Sequence, residues 1–297
     1  MQTLNIFNAV CRKLDNCIKK VENVTFMPSK TEKLYNALLP LKIVTFDEIV
    51  QQALKITNSA SNRRYIHRKY IRRLVEADRL QQIRKGLYAV LSPLENTEEY
   101  TPDKLLVASK IRKDYYLGFH TALEYYGAAY STFNQAYICV KPKDRFDPFT
   151  YKRFKFKPVF VKETTSQVAE KPYGTSVLRV STKERTLLDC ITRPQYAGGW
   201  EECIKSLENL SGVIAEKTIA LALEQKRKTI RRRLGYILVL LRNRSPFYEH
   251  ISDHTLDKLK TEKQAPTLYL VRGKKSKLNK NWNLYIPENF EEELRGT

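Results

Sequence analysis

The chain has 297 residues, 42% of them hydrophobic, enough for two ordinary domains with real cores and too many for a globally disordered protein. Its 53 Lys and Arg outnumber 32 Asp and Glu, giving a formal charge of +21. Such an excess favours polyanions, because each phosphate neutralised releases counterions. The longest apolar stretch near the C-terminus, Leu234 to Leu241, has eight residues, far short of the roughly 20 that a membrane span needs. Asn5, Asn8 and Arg12 interrupt the apolar residues where a signal peptide would lie. A cytoplasmic protein with no membrane partner is expected. The five cysteines (Cys11, Cys17, Cys139, Cys190, Cys203) are odd in number and lack C-x-x-C spacing, so free or buried thiols are expected rather than a zinc site or disulfide framework.

Residues 1–28 form the first segment. Leu4, Phe7, Cys11, Leu14, Ile18 and Val21 recur at spacings of 3, 4, 3, 4 and 3, a heptad seam on a helix that packs either on its own domain or on a second subunit. Met27-Pro28-Ser29 breaks it. Ser29 can cap a helix through Tyr35 and Leu38. Thr45 can cap another, with Asp47 and Glu48 in its first turn, where carboxylates favour the positive end of the helix dipole.

Between Ser61 and Arg73 the chain reads S-N-R-R-Y-I-H-R-K-Y-I-R-R, six Lys/Arg in 13 residues with no acid among them. The periodicity predicts a third helix from about Asn62 to Ala77. Ile66, Tyr70, Ile71, Leu74 and Val75 share one half of the helical wheel; Tyr65, Arg68, Lys69 and Arg72 share the other, with Arg64 at its edge. His67 falls on the apolar half and is expected to be packed. Gln81 to Ile83 and Leu87 to Val90 read as short strands with Arg84-Lys85-Gly86 at their turn. Helix, helix, helix, hairpin is the order of a winged helix-turn-helix over residues 29–92.

On that reading Arg68, Lys69 and Arg72 are spaced to follow a major groove, where Arg grips guanine edges through two hydrogen bonds. Arg63 and Arg64 near the helix start are candidates for phosphate contact, and Ser61 and Asn62 place helix N–H groups where phosphate oxygens can accept. Tyr65 lies on the same face. Arg84 and Lys85 suit a minor groove or an adjacent backbone. The expected partner is double-stranded DNA.

Ser92-Pro93 to Pro102 is polar and Pro-containing, and the second domain is set at residues 101–297. Helices are expected over Pro102 to Arg112 and Phe119 to Tyr126, the latter ended by Gly127, and a strand over Gln135 to Val140. Lys141 to Lys162 holds eight Lys/Arg against two Asp, with Tyr151, Phe154, Phe156, Val159 and Phe160 interleaved. Inward aromatics and outward lysines on an ordinary sheet are favoured there over a surface that stacks single-stranded bases. Val177 to Val180 is a further strand. Ser181, with Glu184 three residues on, has capping-box spacing for a helix carrying Leu187, Leu188 and Ile191. Trp200 to about Asn243 is helical, and strand-like pieces (Leu268 to Val271, Trp282 to Ile286) flank the cationic segment Arg272 to Lys280.

Catalytic chemistry is poorly supplied. His250 and His254 are four apart but lack a third metal ligand. Asp144 and Asp147 precede a basic strand, as in nucleases, but V-F-V-K-E puts the following acid and lysine in the wrong order. There is no Gly-rich phosphate loop. No catalytic residue, metal or cofactor is expected. A nuclease-like enzyme guided by the winged helix remains the alternative.

R-K-G-L-Y-A-V, then F-H-T-A-L-E-Y-Y-G, then T-S-V-L-R-V-S-T-K-E-R-T-L-L-D-C-I-T-R-P with G-G-W-E-E shortly after resemble the AbiEi family, antitoxins of type IV toxin–antitoxin and abortive-infection systems. The resemblance covers roughly residues 30 to 245. It implies an α/β (α+β) chain in which an N-terminal winged helix-turn-helix, binding promoter repeats as an autorepressor, precedes a mixed α/β C-terminal antitoxin domain. It also implies a functional partner, an AbiEii-type nucleotidyltransferase toxin, with no stable complex required. Paired repeats would take two copies of the chain, preformed as a homodimer or assembled on the DNA. A protein-binding adaptor that sequesters its toxin is a further alternative. His120, Tyr126, Ser181, Glu184, Arg185 and Asp189 match the motif without an assigned role.

Overall fold

The computed structural model describes residues 28–57, 62–260 and 266–294. The heptad stretch, Ser61, Cys11 and Cys17 lie outside the described residues. The chain divides into two compact units at the Glu98–Glu99 junction. No described helix is long and apolar enough to cross a membrane.

The first unit begins with α1 (Lys30–Leu38). Ser29 accepts from the Glu32 amide while Glu32 accepts from the Ser29 amide, a complete capping box. Strand β1 (Ile43–Thr45) leads into α2 (Phe46–Thr57). Thr45 Oγ1 accepts from the Glu48 amide at 3.3 Å, and Glu48 Oε2 accepts from the Thr45 amide at 2.8 Å. A basic helix follows, made of Arg63–Ile66, a π turn at His67–Ile71, and Arg72–Glu76. Then come β2 (Leu80–Arg84) and β3 (Leu87–Val90). Lys85 and Gly86 make the two-residue turn between them, and Gly86 takes φ +79°, which an L side chain resists. The sheet order is β1-β3-β2, antiparallel throughout. β1 is a correction to the expected order: three residues are too few to show an alternation.

Leu34, Leu38, Val44, Ile49, Ala53, Ile66, Tyr70, Ile71, Leu74, Leu80 and Val90 fill the core of this unit. Tyr35 closes its edge by donating from its hydroxyl to the Leu91 carbonyl at 2.6 Å. Each large aliphatic side chain buried there contributes about 1.5–3 kcal/mol.

The second unit is a six-stranded mixed sheet in the order β6-β7-β5-β4-β9-β8, with β4 at Tyr116–Leu117, β5 at Gln135–Val140, β6 at Phe149–Tyr151, β7 at Phe154–Phe160, β8 at Val168–Tyr173 and β9 at Ser176–Ser181. β5 runs parallel to β7, and β4 parallel to β9. Helices α3 (Lys104–Ser109) and α4 (Phe119–Tyr125) precede and follow β4. A helical layer follows: α5 (Lys183–Thr192), α6 (Gly199–Glu208), α7 (Ala215–Glu224), α8 (Lys228–Arg244) and the short α9 (Asp253–Asp257). One continuous core joins Tyr116, Phe119, Cys139 and Val159 to Leu187, Ile204, Leu234, Ile237 and Trp282. A small sheet, β10-β12-β11, closes the unit, with β10 at Leu268–Tyr269, β11 at Ser276–Asn279 and β12 at Leu284–Pro287, before α10 (Phe290–Glu293). The aromatic-basic block behaves as an ordinary sheet: Phe154, Phe156 and Val159 are buried on β7, while Lys155 is exposed. Phe160, half exposed, is the exception.

Candidate functional site

In the first unit the basic helix sinks one face into the core and turns the other to solvent. Ile66, Tyr70, Ile71 and Leu74 are at most 3% exposed. Arg63, Arg64, Tyr65, Arg68, Lys69, Arg72 and Arg73 are all exposed. Asn62 caps the start, its side-chain oxygen accepting from the Arg64 amide at 2.9 Å. Val75, at the rim of the apolar arc, is exposed, because only the middle of that arc meets the core. His67 is a second correction: it is exposed, its ring set edge-on to Phe46 at 6.2 Å rather than packed inside.

The cations on this face are not equivalent. Arg63 pairs with Asp47 at 2.5 Å and lies over the Phe46 ring at 4.7 Å. Arg72 pairs with Glu76 at 2.7 Å. Lys69 bonds the Tyr65 hydroxyl and sits over its ring, and that hydroxyl holds the ammonium above the usual lysine range. Arg64, Arg68 and Arg73 carry no ion pair among the described residues. Arg73 was missed in the sequence, although it ends the same cationic run. At the hairpin Lys85 is exposed, whereas Arg84 is half-buried on the last residue of β2, not at the tip. The Gly86 carbonyl accepts from the Phe46 amide at 2.8 Å, fastening the turn to the start of α2.

In the second unit the motif residues form buried polar networks. His120 is fully buried and stacked on Phe133 with ring centroids 3.7 Å apart. Its Nε2 stands 3.1 Å from Glu202 Oε1 and its Nδ1 3.5 Å from Glu124 Oε1. Glu124 pairs with Lys104 at 2.6 Å and accepts from the Phe133 amide at 3.0 Å; Glu202 accepts from the Ser131 amide and hydroxyl at 2.9 and 2.7 Å. Burial pushes both carboxyls up, but these hydrogen bonds outweigh it and leave both below the usual glutamate range.

Asp189 and Arg185 belong to a second network. The Arg185 guanidinium lies 4.2 Å over the Tyr116 ring and donates to the Tyr116 hydroxyl at 2.8 Å, to Glu163 and to the Ser166 carbonyl. Asp189 accepts from Tyr116 at 3.3 Å. Burial pushes its carboxyl up, and Arg185 and Arg193 offset this only in part.

Ser181 is not a helix cap. It ends β9, is fully buried and bonds Thr186 Oγ1 at 2.7 Å, while the Tyr126 hydroxyl donates to its carbonyl at 2.7 Å. Thr182 caps α5 instead, accepting from the Arg185 amide. Glu184 therefore completes no capping box; its carboxylate accepts from the Ile214 amide at 3.2 Å. Glu163, Glu202 and Tyr116 were missed because their partners lie far away in sequence.

Among the described residues no three His, Cys, Asp or Glu converge as metal ligands. Cys139, Cys190 and Cys203 are free and buried.

The architecture is thus a small basic unit joined to a larger mixed α/β unit built around internal ion pairs. The family model of the AbiEi antitoxin C-terminal domain matches residues 116–240, the same family that the motifs resemble. A crystal structure of the RV2827C protein from Mycobacterium tuberculosis is similar in fold, with a TM-score of 0.61 and 18% identity over 91% of this chain and 96% of that one. No curated protein matches the chain.

Proposed function

We propose that this protein is the antitoxin of a type IV toxin–antitoxin system and that its first unit is a winged helix-turn-helix that represses its own operon. The observation that carries the DNA-binding half is the solvent-facing side of the basic helix, which presents Arg64, Arg68, Lys69, Arg72 and Arg73 while the opposite side anchors it in the core. Such a rod fits a major groove, with the Lys85 turn beside a phosphate backbone. The helix start, capped by Asn62, offers amides to a phosphate oxygen.

Arg68 is the best-placed base reader, since no acid has to be displaced before it engages. Arg72 must exchange Glu76 for a base edge, and Arg63 is held by Asp47, which suits it to a fixed phosphate contact. The antitoxin half rests on the domain match and on the resemblance, which together favour a nucleotidyltransferase toxin as the functional partner. The internally paired networks around His120 and Arg185 brace that domain and leave its outer surface to make contacts.

The test is duplex binding to the operon's own promoter, followed across salt. Arg68→Ala is expected to weaken specific binding by about 1–3 kcal/mol. Lys85→Ala is expected to weaken all duplexes alike and to flatten the salt dependence by about one ion. Identical titrations for wild type and both variants would remove the DNA-binding assignment.

A further inference from the structure

The small C-terminal sheet turns a partly apolar face to solvent. In its register Tyr269 pairs with Tyr285 and Leu278 pairs with Tyr285, so the three side chains share one face, one from each strand. Tyr269 and Leu278 are 44% and 42% exposed, and Tyr285 is half-buried. The two rings stack with centroids 4.8 Å apart and planes 23° apart. Leu270, Leu284 and Ile286 on the other face are buried. That side is fixed from below: Arg233 donates to the Tyr269 and Leu270 carbonyls, and buried Arg232 donates to those of Pro266 and Asn283. These bonds anchor the sheet from below, while Tyr269 and Leu278 on its top stay partly exposed among the described residues.

The turn and strand beside it run R-G-K-K-S-K-L-N-K from Arg272 to Lys280, five cations without an acid. Lys274 pairs with Glu293 at 3.1 Å and Lys275 with Glu288 at 3.0 Å. Arg272, Lys277 and Lys280 are exposed and carry no ion pair among the described residues. Flat rings bordered by cations are what a single strand needs: bases stack on the rings and phosphates meet the charges, whatever the sequence. A duplex hides its base faces and could use only the cations.

We infer that this face is a stacking surface for single-stranded nucleic acid, with the outer face of the Tyr269 ring receiving a base, Tyr285 stacked behind it, and the cations at Arg272 and Lys280 receiving phosphates. It lies beyond the residues matched by the antitoxin domain and belongs to the second unit, whereas the proposed duplex-binding face belongs to the first, so either can fail without the other.

The experiment titrates the full chain against fluorescent 12-nucleotide single strands, RNA and DNA of one sequence, at low salt. Tyr269→Leu/Tyr285→Leu keeps apolar bulk and removes both rings; Tyr269→Phe/Tyr285→Phe keeps them. Arg68→Ala serves as the control for the first unit. Wild type, the Phe variant and Arg68→Ala are expected to bind alike, and the Leu variant at least about tenfold more weakly. A ratio between the RNA and DNA affinities identifies which strand is preferred. Equal binding by the Leu variant, binding lost with Arg68→Ala, or a wild-type dimer that the Leu variant dissolves without any strand affinity would each overturn the inference.

Discussion

Individual side chains in the second unit are fixed by burial and pairing, and this makes them sensitive to acid. Glu124 and Glu202 have folded-state values below the ordinary 4.5. They therefore contribute stability that is fully present above that value and is lost as pH falls through the depressed folded values. Asp189 runs the other way: its raised value contributes below the ordinary 3.8 and is lost as pH rises. Asp114 and Glu163 are depressed as well, so four carboxyls lose their contribution in acid while Asp189 opposes them, and the urea midpoint is expected to fall below about pH 4.5. Glu124→Gln/Glu202→Gln should start lower and fall less steeply between pH 5 and pH 3 (both about the range the glutamates titrate in). A wild-type midpoint that stays flat over that range would contradict the pairing around His120. His120→Ala, which leaves a cavity and two half-buried carboxylates short of a partner, is expected to cost about 3 kcal/mol.

Elements owe their ends to small polar contacts and their approach to close packing, and one contact of each kind is testable. Thr182, not Ser181, caps α5, so Thr182→Ala is expected to cost about 1 kcal/mol through that cap. Gly235 in α8 lies against the Trp282 indole, and a Cβ there would overlap the ring. Gly235→Ala should therefore cost about 1–3 kcal/mol through overpacking, despite alanine's better helix propensity. A stabilised Gly235→Ala variant in thermal melts would show that α8 and the segment bearing Trp282 are not in contact.

Elements with a strong period were readable in the sequence. α1, α2, the basic helix and the β2–β3 hairpin announce themselves through capping residues, an apolar stripe and a glycine turn. β1 and β4, of three and two residues, are too short to alternate. β8 is an edge strand with no fully buried residue and a proline, so it reads as loop. The π turn leaves no mark in residue type, because it is a change of hydrogen-bond partner. The exposed cations of the basic helix were legible; that Arg63 and Arg72 are already paired was legible only in part, because Glu76 is one turn away and Asp47 belongs to another helix. The polar networks were opaque: His120 meets Glu202 across 82 residues and Tyr116 meets Asp189 across 73.

At the scale of the whole chain, charge is unevenly used. The second unit spends many of its cations internally, as Lys104, Arg179, Arg185 and Arg244 each pair with a carboxylate. The basic helix keeps its face open. If the proposed repression and toxin protection reside in different units, Arg68→Ala should derepress the operon yet still protect cells that express the proposed partner toxin at a matched antitoxin level. Loss of both together would place both roles on one surface.

The most direct measurement is binding of the full chain to its promoter duplex and to a scrambled duplex of equal length, with wild type and Arg64→Ala/Arg68→Ala/Arg72→Ala compared at one salt concentration. Wild type is expected to prefer the promoter, and the triple variant to lose that preference while remaining folded. A triple variant that still selects the promoter as wild type does, or a wild type that never distinguishes the two duplexes, would contradict the assignment of the basic helix as a sequence-reading surface.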